Sequence, residues 1–249
     1  MMGMSNQGLK LLNSIIRDMA PSGELRRVLA LGYPDILASP AELLDTLGPQ
    51  IFERLQFRED AAEIIAWHKV GDLTDRIAST ESLFTAWGME LEVSDIVEAR
   101  GGELILDLNE PCAEHLHGRY HLIIDSGTLE HCFNIGQAAR NVANLTAVGG
   151  YILHGNPLNM LNHGFYNLNP TWYADFYQDN GFDIVYLKAM SGTLRDAKVH
   201  EVPMYKRFVD VPADSTMNCI VRKRRQRPVR WPVQTKYKRN PTLKGKKQG

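Results

Sequence analysis

The sequence predicts an α/β fold with a mostly parallel sheet and helices on both faces, and three observations carry that class. Seven short apolar runs, at residues 26–31, 91–93, 104–106, 122–124, 151–153, 184–187 and 217–221, have the length and continuity of buried strands. Most of them alternate with segments of helical period, as crossover-connected parallel strands require. Four of the runs stop at Gly32, Asp95, Asp107 and Asp125, and polar residues just past strand C-termini form the working crevice of such sheets.

In chain order, residues 6–19 place Leu9, Leu12, Ile15, Ile16 and Met19 on one face, an amphipathic helix closed by Pro21 and Gly23. The strand Arg26–Leu31 runs into Gly32-Tyr33-Pro34-Asp35, where Gly and Pro predict a turn. Residues 40–56 and 60–69 read as helices, and so do residues 79–87, which open on a Ser/Thr cap and stop at Gly88. Two strands follow, ending at Asp95 and at Asp107-Leu108-Asn109. Tyr120–Pro157 is the clearest stretch. Leu122–Ile124 is a strand, Ser126–His131 a turn-rich loop, and Ile135, Ala138, Ala139, Val142 and Leu145 mark one buried helix face. Asn134 and Gln137 form an N-cap pair, Gly149-Gly150 ends the segment, and Tyr151–Leu153 is the next strand. Residues 159–169 read as a loop, and a helix from Pro170 closes at Gly181. No clear helix separates the last two strands, so they are expected to form an antiparallel hairpin at the sheet edge, with 190–215 irregular. The expected organisation is one domain over 1–221, with a helical insertion at about 38–78, followed by a basic tail over 222–249.

A hydrophobic content of 44% and a charged content of 23% are those of an ordinary soluble domain. No apolar run approaches the roughly 18–20 residues of a membrane span, and no signal peptide is seen. Three widely separated cysteines fit a reducing compartment and no disulfide framework, so a cytoplasmic protein is expected. The net charge of −1 conceals an asymmetry: twelve of the 28 Lys and Arg lie from Arg222 onward, leaving the rest at about −13. Such a body repels phosphates, so nucleic acid is an unfavoured partner. The tail is expected to fold back on the acidic body, with Arg230–Tyr237 docked and Pro241–Gly249 disordered.

Carboxylates at strand ends suit ribose hydroxyls, because one carboxylate accepts both hydrogen bonds of a vicinal diol. The alternative for each is a turn Asp bonded to its own backbone. His115, His117 and His121, with His154 and His163 later, fit none of the zinc spacings, so no metal site is expected.

The succession LALGYPD, SDI, LDLN, LIIDSGTLEH and GGYILH resembles class I S-adenosylmethionine-dependent methyltransferases. It is most similar to a bacterial subgroup with IDSGTLEHCFN followed by NPLNMLNHGFYNLNPT, and the likeness spans residues 25–190. The resemblance implies a Rossmann-like fold and S-adenosylmethionine as cofactor. It places Gly32 and Tyr33 beside the methionine part, Asp95 and Ile96 at the ribose, and Asp107, Leu108 and Asn109 at the adenine. It puts Asp125, Ser126 and Gly127 near the sulfonium and acceptor. An acceptor hydroxyl needs a base within hydrogen-bond reach. His131 is the first candidate, or else a loop cap; His163 and Tyr166 are the second, or else part of a loop tied together by Asn162, Asn167 and Asn169. Glu130 could serve instead or be solvated. The NHGFYN segment suits a small-molecule or saccharide acceptor.

Two departures stand out. The first loop holds one glycine instead of several, and 63 positions separate Gly32 from Asp95 where a compact unit needs roughly 20. The insertion could be a lid, a substrate wall or a dimer surface, which leaves homo-oligomerisation open. Together the departures motivate an alternative function, a non-catalytic methyltransferase-like binding or assembly module.

Overall fold

The computed structural model describes residues 2–19, 26–194 and 196–240. The chain runs β1 (Met2–Ser5), α1 (Asn6–Asp18), β2 (Arg26–Leu31), β3 (Pro34–Leu37), α2 (Pro40–Leu47), α3 (Pro49–Phe52), α4 (Ala61–His68) and α5 (Thr80–Ala86). It continues β4 (Met89–Asp95), β5 (Leu104–Ile105), β6 (Tyr120–Asp125), α6 (Ile135–Leu145) and β7 (Thr146–Pro157). Last come α7 (Pro170–Asp179), β8 (Phe182–Ser191), β9 (Lys198–Glu201), β10 (Thr216–Lys223) and α8 (Thr235–Lys238).

The main sheet has eight described strands in the order β5-β4-β2-β6-β7-β10-β8-β9, one more than the seven expected. The ladders from β5 to β7 are parallel, whereas β10 is antiparallel to both β7 and β8. The last two predicted strands do pair antiparallel, but not at the edge. β10 inserts between β7 and β8, and the edge belongs to β9, antiparallel to β8, in the stretch expected to be irregular. Gly32 turns the chain as expected, at φ +76°, yet the strand resumes at Pro34. There β3 pairs in parallel with β1, a two-stranded sheet the sequence did not announce. The predicted helix over 40–56 is broken at Gly48, whose φ of +80° only glycine adopts readily. Pro21, Gly23 and the disorder expected for Pro241–Gly249 lie outside the described residues.

Side-chain alternation along each strand divides the core into two layers. Leu29, Leu31, Ile123, Ile152, Cys219 and Val221 pack under α6 and α7, against Ala138, Val142, Tyr173 and Phe176. Val28, Ala30, Leu122, Ile124, Leu153 and Ile220 face the other way, against Leu9, Leu12 and Ile15 of α1 and Leu83 and Phe84 of α5. Ser5 caps α1 by accepting from the Gly8 amide, and Asn134 caps α6 by accepting from the Gln137 amide. No described helix is long and apolar enough to cross a membrane.

The described part of the basic tail runs along the end of α7 and the start of β8. Arg224 Nε donates to Asp183 at 2.6 Å, Arg227 to the Asp179 carbonyl at 2.6 Å, and Lys238 pairs with the Asp179 carboxylate. Asn180 exchanges hydrogen bonds with the backbone of Arg230.

Lys223 closes the C-terminus of α6: its buried ammonium donates to the carbonyls of Ala143 and Thr146, both at 2.7 Å. Burial pulls its pKa from 10.5 down to about 8. Between these two values the unfolded chain holds a proton that the folded chain has released, so this residue's contribution to stability rises with pH across that window. Relative to Lys223→Met, which cancels the other alkaline groups, the wild type should gain about 3 kcal/mol between pH 7.5 and 10.5. Urea unfolding at both pH values checks it, and a pH-independent difference would contradict it.

Candidate functional site

At β2 the sheet order reverses: β4 and β5 extend one way, β6 and β7 the other. Ligands of open α/β sheets bind at such a switch point, beyond the strand C-termini. Two cavities flank it here. The first, about 550 Å³, is lined by Gly32 and Tyr33 after β2, Asp95, Ile96 and Arg100 after β4, Asp107, Leu108 and Asn109 after β5, and Gly127, Thr128, His131 and Cys132 after β6. The second, about 670 Å³, is lined by Ser126, Gly127, Glu130, His131, His154, Gly155, Met160, His163 and Asn218, with Gly3, Met4 and Ser5 of the N-terminus on another wall. Gly127 and His131 belong to both, so the cavities meet there.

Local hydrogen bonds shape the first cavity. Asp95 Oδ1 accepts from the Ile96 amide at 2.7 Å, and Asp107 Oδ1 accepts from both the backbone and side-chain nitrogens of Asn109 at 2.9 Å. Asn109 in turn accepts from the Asn134 amide at 2.9 Å, tying the cavity rim to the start of α6. Tyr33 does not fill the space. Its hydroxyl donates to Glu81 at 2.6 Å and accepts from Arg58 at 3.0 Å, and Arg100 lies 4.0 Å over its ring. Burial, then the Glu81 carboxylate, pushes the Tyr33 phenol up to about 12. Arg100 is held in place by a two-pronged pair with the buried Asp35 at 2.9 and 3.0 Å. The Cys132 thiol, raised to about 11 by burial and by Asp125, stays protonated.

Between the cavities the strand ends are locked by a buried network. Asp125 Oδ2 accepts from His154 Nδ1 at 2.6 Å and from Asn156 Nδ2 at 2.9 Å, while Oδ1 accepts from the Thr128 amide at 2.8 Å. Burial alone would raise this carboxyl, but the hydrogen bonds from His154 and Asn156 hold it below the ordinary carboxylate range. His154 Nε2 meets the Tyr177 hydroxyl, and Tyr173 donates to Asn156 Oδ1, both at 2.6 Å. Burial keeps both phenols protonated.

Glu130 lies one turn further on, fully buried in a 3₁₀ turn. Its Oε2 accepts from Asn156 at 3.0 Å, whereas Oε1 has no hydrogen-bond partner. Burial and the neighbouring Asp125 charge push its pKa up to about 7. Oε1 faces His131 Nε2 at 3.9 Å and His163 Nε2 at 3.8 Å. The two half-exposed imidazoles lie 5.4 Å apart, and burial together with His163 lowers the His131 pKa.

The fold thus brings eight of the ten residues predicted to hold a cofactor to one cavity. Two are placed differently. Asp125 is withdrawn from solvent, because four donors from its own loop and from β7 converge on it. Ser126 faces the second cavity. Of the predicted catalytic residues, His131 and His163 stand together, but Tyr166 lines neither cavity: its hydroxyl donates to the Phe133 carbonyl at 2.8 Å and staples the loop. Glu130, His131 and His163 bring their ligand atoms within 4.8 Å of one another, a grouping outside the histidine spacings weighed in the sequence.

No family model matches the chain, and no curated protein matches it significantly. Among solved structures it is similar to a Burkholderia thailandensis 1,6-didemethyltoxoflavin-N1-methyltransferase with bound 1,6-didemethyltoxoflavin and S-adenosylhomocysteine, at 13% identity and a TM-score of 0.44, over 86% of this chain and 77% of that one. It is also similar to the N-methyltransferase NodS from Bradyrhizobium japonicum in complex with S-adenosylhomocysteine, at 10% identity and 0.43, over 88% and 85%. A third is the citrinin polyketide synthase CMeT domain, at 11% and 0.46, where 89% of this chain spans about half (52%) of the other. Likeness at this level does not transfer an activity.

Proposed function

We propose that this chain is a methyltransferase that uses S-adenosylmethionine and acts on a small-molecule or saccharide acceptor. The observation that carries the reading is the meeting of two cavities at Gly127 and His131, one edged by strand-end carboxylates and the other by imidazoles. The first has the size of a nucleoside-cofactor site. Its residues fit the cofactor: Asp95 offers acceptors to ribose hydroxyls, and Asp107 with Asn109 offers polar groups at the adenine position. Gly32 and Gly127, at φ +76° and +105°, let backbone approach the ligand closely. When bound, the cofactor supplies an electrophilic methyl group on a sulfonium sulfur.

The chain's own part is to hold donor and acceptor in line across the Gly127–His131 junction, which supplies much of the acceleration in such transfers. His131 stands at that junction, with Glu130 and His163 beside it in the second cavity, and this group offers a base for the acceptor's proton. The second cavity combines Met160, Leu153 and Pro157 with Ser126, Asn218 and the imidazoles, a lining suited to a small polar acceptor. Filling of the first cavity by Tyr33 or the inserted helices would have favoured the non-catalytic module; the anchoring of Tyr33 to Glu81 and Arg58 leaves the cavity open and supports cofactor binding. A cytoplasmic location belongs to the same reading.

Calorimetry with S-adenosylhomocysteine tests it. One saturable site in the micromolar range is expected. A folded sample that gives no heat at high micromolar ligand would remove the proposal.

A further inference from the structure

We propose that Glu130, His131 and His163 form a binding site for one divalent transition-metal ion at the mouth of the second cavity. Two imidazoles and one carboxylate are a donor set suited to zinc, iron, cobalt or manganese. The decisive atom is Glu130 Oε1. It is buried, lacks a hydrogen-bond partner, and points at the two imidazole Nε2 atoms 3.8 and 3.9 Å away. A buried oxygen with nothing to accept from is costly, and a cation between it and the imidazoles supplies the missing partner. An ion about 2.0–2.2 Å from each donor spaces the donors roughly 3.2–3.6 Å apart, so the two Glu130–imidazole distances need close only by a few tenths of an ångström. The imidazoles, half-exposed and with all ligand atoms within 4.8 Å of one another, are free to turn onto the ion.

The surroundings are built to hold this arrangement. Asn156 fixes the other Glu130 oxygen at 3.0 Å, the kind of outer hydrogen bond that orients a carboxylate ligand. The loop carrying His163 is pinned where the Phe165 amide donates to the Glu130 carbonyl at 2.9 Å. Gly164 makes that approach feasible. A Cβ there would stand 2.9 Å from the Glu130 carbonyl oxygen and 3.1 Å from His131 Nδ1.

Three protein ligands leave coordination positions open toward the cavity. An acceptor that chelates through oxygen would fill them, and the ion would lower the pKa of its hydroxyl so that the proton passes to solvent. This acceptor class rests on the methyl-transfer reading; the ion site does not.

The test uses tag-free, full-length protein stripped with chelator and titrated with Co²⁺, followed by visible absorption. One equivalent should produce d–d bands that Zn²⁺ abolishes. Glu130→Gln and His163→Ala should each weaken Co²⁺ binding at least about 100-fold, beyond what loss of an outer-shell partner costs. His117→Ala, at an exposed histidine elsewhere, should leave it unchanged. His163 is half-exposed, so its variant decides the matter even if the buried Glu130→Gln fails to fold. No saturable binding in the wild type, or unchanged affinity in His163→Ala, overturns the site. Acetohydroxamate, a small bidentate oxygen ligand, should shift the bands; unshifted bands overturn the chelating acceptor and leave the ion site standing. Neither measurement contains S-adenosylhomocysteine, so its failure is distinguishable from failure of the methyl-transfer reading.

Discussion

Asp125→Ala is expected to lower the unfolding free energy by about 3–5 kcal/mol, because it leaves several buried donors without an acceptor at about 1–3 kcal/mol each. The loss has two sources. The His154 Nδ1 proton and an Asn156 amide proton lose their acceptor in a space no water reaches, and the Thr128 and Leu129 amides lose theirs at the start of the loop. In a chain of this length each kcal/mol moves the melting temperature by about 2–4 °C, so a drop of roughly 6–20 °C should be seen by calorimetry or circular dichroism. Asp125→Asn keeps the shape and one carbonyl acceptor, and should cost less. A loss under about 1 kcal/mol for the alanine variant would mean that the network does not hold the strand ends together. The same variant should impair both cavities, since Gly127 and Thr128 line the first and His154 and Gly155 the second.

That network shows where sequence reading stops. Leu122–Ile124 and Tyr151–Leu153 were legible because strands buried on both faces carry an uninterrupted apolar run. The α6 helix was legible because its caps and apolar spacing agree. The place of β10 was not. A strand's partners are set by contacts distant in the chain, and the short run Met217–Val221 does not itself say which strands lie beside it. β1 was missed because Met2–Ser5 is too short and mixed to show a period, and it exists only through its pairing with β3.

The site divides along the same line. Asp95 and Asp125 look alike in the sequence, each an acid closing a strand. What separates them is that His154 and Asn156, 29 and 31 positions away, converge on one and not on the other. The sequence offers Glu130 only as a substitute base or a solvated residue, because nothing local marks it as buried. Its hydrogen-bond partner Asn156 comes from the end of β7, 26 positions away. His163 and Tyr166 were a single guess about one loop. Gly164 turns the first toward Glu130, while Tyr166 anchors to Phe133.

Asp95→Ala is expected to raise the dissociation constant for S-adenosylhomocysteine by about 10- to 150-fold, the 1.5–3 kcal/mol of hydrogen bonds to a charged acceptor. The residue suits the test because its fold role is slight. It is part-exposed, and one oxygen accepts from the Ile96 amide, which aims the carboxylate and leaves the second oxygen for a ligand. Asp107 is the weaker choice, since its link through Asn109 to Asn134 reaches the α6 cap, and its loss would mix binding with stability. Asp95→Asn separates charge from shape: it retains an acceptor for Ile96 but meets a ribose hydroxyl with a neutral group, so its affinity should fall between the other two. The melting temperature of Asp95→Ala should stay within a few degrees of the wild type. If the wild type binds and Asp95→Ala binds equally well, the ribose does not lie at the end of β4, and the ligand must enter the crevice in another orientation.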